Sequence, residues 1–276
     1  MDDAEKALKL TDVGVTDDVL LQQVVSVAKQ AGEIILGYYG TSENLAVRFK
    51  ADRSPVTEAD MRANEYITCE LTKRFGWAVI SEETPVAYED RRDLGRFWLV
   101  DPLDGTKDFL AQTGHFTVNI ALVENGIPTL GVIYAPAEDW LYYAKKDFGA
   151  FLNGTHIFND SCREQWISTD SVFHSSEKTR EFLQKNGMTQ VVKFGSAVKF
   201  GKLAEGVVDL YPRFEGSKEW DIAAGHCILR EAGCNIIDWM TKREPVYNKP
   251  SMENNFFVAA RNDVLDFLLK KSDFSR

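Results

Sequence analysis

Asp101-Pro102-Leu103-Asp104-Gly105-Thr106 places two carboxylates three residues apart at the end of an apolar run, residues 97–100, that reads as a β-strand. At this spacing both carboxylates can face one point. Like charges brought together in a partly desolvated site repel strongly unless a cation sits between them. Hard oxygen donors without His or Cys favour Mg²⁺ over zinc. Pro102 fixes the chain in an extended turn entry, and Gly105 permits close backbone approach. Thr106 then opens a short helix through Leu110. The free N–H groups of Gly105 and Thr106 suit a phosphate oxygen. The bland alternative is an Asx-type turn with Asp101 as a strand-end cap.

Other carboxylates stand at element ends. Glu82, with Glu83, ends the strand of residues 79–81 in the same manner, although taken alone such a pair is usually solvated surface. Asp221 opens a helix over residues 221–231, where the dipole alone favours a negative charge. Asp60 lies three residues after Thr57, the position of the acidic member of a capping box. Lys50 and Arg213 are single cations beside candidate segments, otherwise solvated. His174 either meets a substrate phosphate or serves the start of the next helix, whereas His115, His156 and His226 show no ligand spacing. Trp98, Trp220 and Trp239 read as core residues. The P-loop, dinucleotide, nucleophile-elbow and zincin signatures are all absent.

Periodicity supplies the elements that must position these groups. Leu20, Val24, Val27, Ala31, Ile34 and Tyr38 recur at steps of three and four and predict a helix over residues 17–39. A second helix starts at Thr57, buries Ala63, Ile67, Leu71 and Phe75, and stops at Gly76. Strands are predicted over residues 77–81 and 97–100, then as an antiparallel meander over 116–123, 129–134 and 141–144. A turn-rich stretch at residues 153–164 is the boundary candidate. Beyond it strands (166–168, 191–194, 207–211, 235–239, 256–260) alternate with helices (177–184, 197–204, 221–231, 263–269). The fold class is therefore α+β for residues 1–160 and α/β for residues 161–276.

The 276 residues carry a net charge of −10, which argues against a nucleic-acid polymer as partner and makes a phosphorylated ligand depend on a local source of positive charge. Apolar (44%) and charged (27%) fractions fit a globular chain large enough for a sizeable core. The acidic N-terminus does not read as a targeting peptide, and no uncharged apolar run approaches a membrane span. Cys69, Cys162, Cys227 and Cys234 are scattered, as inert thiols in a reducing cytoplasm would be.

Taken in order, Lys50-Ala51-Asp52-x-Ser54-Pro55-Val56-Thr57-x-x-Asp60, Ser81-Glu82-Glu83, residues 98–109 from Trp98 through the D-P-x-D-G-T block, and Trp220-Asp221-Ile222-Ala223-Ala224-Gly225 resemble the inositol monophosphatase superfamily of Mg²⁺-dependent, lithium-sensitive phosphatases. Gly105-Thr106-Lys107-Asp108-Phe109, Phe116-Thr117-Val118-Asn119 and Leu210-Tyr211-Pro212-Arg213-Phe214 look most like its CysQ-type 3′(2′),5′-bisphosphate nucleotidases. One departure is Ser171-Val172-Phe173-His174, where those nucleotidases carry Ser-Arg-Ser-His.

The resemblance implies a layered αβαβα sandwich. It implies Glu82, Asp101 and the Leu103 carbonyl around one Mg²⁺, and Asp101, Asp104 and Asp221 around a second. A third, weak ion would rest on Glu82. Asp60 and Thr106 would polarise the attacking water. Lys50, Leu103, Asp104, Gly105, Thr106, His174, Arg213 and Asp221 are the candidate substrate contacts. The implied reaction removes the 3′-phosphate of adenosine 3′,5′-bisphosphate, a by-product of sulfate assimilation, with two metal ions clamping the phosphate for in-line attack. The alternatives are an inositol or broad sugar phosphatase of the same superfamily, or a non-catalytic metal- or phosphate-sensing protein. Monomer and homodimer both remain open.

Overall fold

The computed structural model describes residues 18–40, 48–49 and 55–273. Helix α1 (Val19–Leu36) begins at Asp18, whose carboxylate accepts from the Leu21 N–H at 3.0 Å and satisfies one of the helix's orphan donors. By length and composition α1 is apolar enough to cross a membrane, but its stripe of Leu21, Val24, Val27, Ala31 and Ile35 is buried against the rest of the fold. Two short strands, β1 (Arg48–Phe49) and β2 (Pro55–Val56), pair antiparallel ahead of α2 (Glu58–Phe75). Gly76 ends α2 in the left-handed conformation, φ 69°.

A seven-stranded sheet runs in chain order through β3 (Ala78–Ser81), β4 (Arg96–Asp104), β5 (Thr117–Glu124), β6 (Ile127–Ala135), β7 (Trp140–Lys145), β8 (Gly149–Leu152) and β9 (Thr155–Ile157). The pair β3–β4 is parallel and the others are antiparallel, so the predicted meander is present. It also extends further than expected. Asn153 and Gly154, both at positive φ (48° and 86°), turn a hairpin into β9, so the first part of the stretch read as a boundary belongs to the sheet. Strands of four and three residues are too short to show alternation. Two short helices, α3 (Tyr88–Arg91) and α4 (Thr106–Leu110), flank β4.

The second sheet has the order β11-β10-β12-β16-β14, built from β10 (Ile167–Ser171), β11 (Gln190–Phe194), β12 (Leu210–Arg213), β14 (Cys234–Asp238) and β16 (Phe257–Arg261). Strands β13 (Ser217–Lys218) and β15 (Glu253–Asn254) pair separately. The helices of this part are α5 (Glu177–Lys185), α6 (Val198–Ala204), α7 (Glu219–Glu231) and α8 (Asn262–Asp273).

Period-two alternation explains the layering. On β4, Trp98 and Val100 face α1 and α2, while Phe97 and Leu99 face α6 and α7. On β16, Phe257 and Ala259 share that middle core, and Val258 and Ala260 pack under α5 and α8. The result is the αβαβα sandwich. All four cysteines are unpaired, with Cys227 and Cys234 buried.

Helix α7, which carries Asp221, lies unusually close to β6. A Cβ built on Gly131 would stand 2.3 Å from the Ala224 carbonyl oxygen, and one on Gly225 would stand 2.5 Å from the Phe200 ring. The small residues Ala223-Ala224-Gly225 thus set the depth at which α7 sits. Gly131→Ala should destabilise the protein by about 1–3 kcal/mol, because backbone rather than a flexible side chain must move. Urea unfolding would show this as a lower midpoint with an unchanged slope. An unaltered midpoint would show that the approach is looser than described.

Candidate active site

Strand β4 continues through Asp101 to Asp104 instead of ending at Val100. Asp101 pairs with Asn119 and Asp104 with Thr117, so three steps on β4 match two on β5. In a regular strand, residues three apart point to opposite faces; the extra residue of a bulge returns them to one side. Pro102, which has no N–H to give the ladder, sits inside this bulge. The Asx-type alternative is realised as well, since the Leu103 N–H donates to Asp101 at 3.2 Å. Gly105 then turns at φ 85° into α4, as expected from the sequence.

Asp60 performs two tasks with different oxygens. Its Oδ2 accepts from the Thr57 N–H (2.8 Å) and hydroxyl (2.5 Å), capping α2. Its Oδ1 accepts from the Thr106 hydroxyl at 3.2 Å. Burial raises its proton affinity, the Thr57 bonds oppose that shift, and the charge of Glu82 adds to it.

Glu82 follows β3, and its N–H donates to the Val100 carbonyl, extending the parallel pairing by one residue beside Asp101. Asp221 comes from the other side. Helix α7 starts at Glu219, two residues earlier than predicted, because Lys218 is the extended residue ahead of its first turn. The Asp221 carboxylate accepts the Lys218 N–H at 2.9 Å. Burial pushes the Asp221 carboxyl up to about 7, the charges of Asp104 and Glu82 push the same way, and Arg213 opposes them.

One cavity of about 460 Å³ collects these groups. Glu82, Asp101, Leu103, Asp104, Gly105, Thr106 and Asp221 line it, together with His174 and Arg213. Asp60 lies behind Thr106 rather than on the cavity wall. Lys50 falls outside the described residues. The imidazole of His174 is 42% exposed and stands 4.0 Å from Glu215, while the backbone N–H of His174 donates to the Ser171 hydroxyl. Arg213 donates to the Gly216 carbonyl at 2.9 Å, and its buried Nε has no hydrogen-bond partner among the described residues.

Sequence reasoning missed several lining residues, Ser196 and Lys199 among them. Ser196 donates to Asp104 at 2.8 Å, and Lys199, 1% exposed, donates to the carbonyls of Ser196 (2.7 Å) and Phe194 (3.3 Å). Burial and the nearby Arg213 pull the Lys199 ammonium down to about 8, against the pull of Asp104, Asp108 and Asp170. The available signal was a Lys inside the buried stripe of the helix predicted at residues 197–204, a residue type that is almost never fully buried without a partner.

Among the described residues, no three His, Cys, Asp or Glu side chains already close into a cage. Asp104, for instance, is turned toward Ser196 and Asn119. The donor set still fits a hard divalent cation. Glu82, Asp101, Asp104, Asp221 and the backbone of Leu103 line one cavity, and burial together with the charges of Asp104 and Glu82 raises the proton affinity of Asp221.

Residues 17–274 match the inositol monophosphatase family. The chain is 41% identical over 234 residues to the 3′(2′),5′-bisphosphate nucleotidase CysQ of Salmonella typhimurium, covering 81% of this chain and 92% of the relative. The CysQ of Escherichia coli K12 is 40% identical with the same coverage. The crystal structure of CysQ from Bacteroides thetaiotaomicron superposes with a TM-score of 0.78 at 34% identity, covering 87% of this chain and 96% of the other. The inositol monophosphatase of Thermotoga maritima superposes with a TM-score of 0.76 at 28% identity, covering 89% and 93%. These likenesses agree with the resemblance carried by the sequence blocks around Asp60, Glu82, Asp101 and Asp221: the chain belongs to the inositol monophosphatase family.

Proposed function

We propose that the protein is a metal-dependent phosphomonoesterase that removes the 3′-phosphate of adenosine 3′,5′-bisphosphate, giving AMP and phosphate. The observation that carries this reading is the division of one cavity into an acidic wall and a cationic wall, buried Lys199 and half-buried Arg213. A metal-assisted phosphatase for a simple monophosphate needs only the first. A substrate with a second phosphate needs both. The likeness to the CysQ nucleotidases supports the same substrate class.

On this reading the cleft lies between residues 1–160, which supply Asp60, Glu82, Asp101 and Asp104, and residues 161–276, which supply Asp221, Lys199 and Arg213. Glu82, Asp101 and the Leu103 carbonyl would hold one Mg²⁺, Asp101, Asp104 and Asp221 a second, and Glu82 a weak third. When bound, Mg²⁺ supplies charge neutralisation for the phosphoryl group and acidifies water. The chain's own groups do the rest. Asp60 takes the Thr106 hydroxyl proton in its hydrogen bond and leaves a Thr106 lone pair to accept from, and so orient, the attacking water. The Gly105 and Thr106 N–H groups receive a phosphate oxygen. Arg213, with its unsatisfied Nε, and Lys199 hold the second phosphate, a task for which the uncharged Val172 is unsuited. Attack is in line and requires no phosphoenzyme. A small phosphorylated nucleotide as substrate, a cytoplasmic setting, and a monomer or homodimer complete the reading.

Four measurements test it. Asp101→Asn should lower kcat by roughly a thousandfold or more, several kcal/mol of transition-state stabilisation, while circular dichroism remains that of the folded protein. Retained turnover would defeat the metal assignment. Arg213→Met should raise KM for adenosine 3′,5′-bisphosphate by about 10- to 100-fold, the loss of a charge-assisted hydrogen bond, with a smaller effect on inositol 1-phosphate. In the wild type the bisphosphate should be turned over far faster than the inositol ester; equal rates would favour the sugar-phosphatase reading.

The fourth concerns pH. In the metal-free protein, Asp221 is raised from 3.8 to about 7, so the folded state holds an extra proton between these values and loses it above them. Its repulsive carboxylate form therefore weakens the fold above pH 7, and below that pH the proton competes with Mg²⁺. The rise in Tm on adding saturating Mg²⁺ should accordingly be larger at pH 8 than at pH 5.5. Equal rises at the two pH values would contradict the placement of Asp221.

A further inference from the structure

The loop spanning residues 247–252 lies between the segments that carry Glu82 and Asp221, and it is held from both sides by buried charge. Arg91, at the end of α3 and only 2% exposed, directs its guanidinium into it. Nη1 donates to the Asn248 side-chain oxygen (2.7 Å) and the Lys249 carbonyl (2.8 Å), and Nη2 donates to the Pro250 carbonyl (3.1 Å). The remaining Nε donates to the Val86 carbonyl (3.1 Å) in the segment that follows Glu82. Asn248 returns a bond from its side-chain amide to the Arg91 carbonyl at 2.8 Å.

From the other side, the fully buried carboxylate of Glu219 accepts the N–H groups of Asn248 (2.7 Å) and Lys249 (3.0 Å). Asn248 is left-handed, φ 69°, which turns two successive N–H groups toward one anion. The Lys249 ammonium closes the pair at 2.7 Å from Glu219 and reaches Asn254 at 3.2 Å. The Glu219 N–H donates to the Met252 carbonyl. Asn254 in turn donates to the Lys218 carbonyl at 2.6 Å, and the Lys218 N–H is held by Asp221.

We propose that Arg91, Asn248 and Glu219 form a clamp that sets Glu82 and Asp221 at a fixed separation, and that they are positioning residues for the divalent metal, which none of them touches. The proposal rests on the reading of the cavity given above. Glu82 follows a strand of the seven-stranded sheet and Asp221 lies on a helix packed against that sheet; no strand pairing joins the two segments, so the polar contacts that bridge them act beside that packing in fixing their separation. The bridge is a planar fork with every bond directed at a carbonyl or amide oxygen, answered by a carboxylate that receives two backbone N–H groups. Such a bridge resists small displacement, because the guanidinium of Arg91 and the carboxylate of Glu219 that anchor it are buried and poorly placed to exchange these bonds for water. Neutralisation of Glu219 by Lys249 also keeps a further negative charge from acting on the cavity two residues away.

The test is a titration of Mn²⁺ into substrate-free protein, with free Mn²⁺ read by electron paramagnetic resonance. Wild type is compared with Arg91→Lys, Glu219→Gln and Asn248→Gly, the last keeping the left-handed backbone but removing the side-chain bonds. Arg163→Met serves as a structural control; it breaks an ion pair with buried Asp209 at the far end of β12. The clamp variants should bind Mn²⁺ at least about ten-fold more weakly for Arg91→Lys and Glu219→Gln, and less severely for Asn248→Gly. Their kcat on adenosine 3′,5′-bisphosphate should recover at saturating metal. Arg163→Met should lose Tm without losing Mn²⁺ affinity. If the clamp variants lose Tm but bind Mn²⁺ as tightly as wild type, the clamp is purely structural and the proposal is overturned. Should Glu219→Gln fail to fold, Arg91→Lys and Asn248→Gly decide alone. Failure of the wild type itself to bind Mn²⁺ would overturn the reading of the cavity and the clamp with it.

Discussion

Four carboxylates, Glu82, Asp101, Asp104 and Asp221, surround one cavity, and their mutual repulsion is opposed by the packing of everything around them. Separate polypeptide segments carrying such groups would drift apart in water. Here each is attached to an element whose position is dictated by apolar burial. Asp101 and Asp104 leave a strand buried on both faces, Glu82 leaves its parallel neighbour, and Asp221 rides a helix sunk between two sheets. The hydrophobic effect, which has no directionality of its own, thus holds charges where electrostatics alone would not leave them.

Local features decide how those charges are aimed. The β4 bulge turns Asp104 to the side of Asp101, and the Gly131–Ala224 approach lowers α7 until Asp221 reaches the same space. Capping bonds then fix rotamers. Asp221 grips the Lys218 N–H, and Asp60 grips Thr57. Each of these would be an ordinary helix-start interaction in another protein. The placement of Asp221 on the cavity wall, and of Asp60 behind Thr106, is what gives them a second use.

Much of this was readable from the residues. Asp101, Asp104, Glu82, Asp221 and Thr106 announce themselves by standing at element ends, and the helix-start signals at Thr57 and Thr106 are local. Ser196 was not legible, because it meets Asp104 across 92 positions, and Lys199 offered only the signal of a lysine in a buried stripe, which does not say which cavity it lines. The network around Arg91 was invisible for the same reason, as its bonds to the 248–250 loop span more than 150 positions. The bulge in β4 also could not be inferred, since it exists only in the register with β5. Short-range pattern yields element ends and caps. It does not yield register or long-range polar contacts.

The divided carboxylate of Asp60 has a consequence for how such a protein can diverge. One oxygen belongs to the architecture of α2 and the other to the hydroxyl of Thr106. Drift at position 57 that seems to concern only a helix end would rotate the same carboxylate away from Thr106. Two traits usually free to vary apart, foldedness of a helix and competence of a hydroxyl, are inherited here as one.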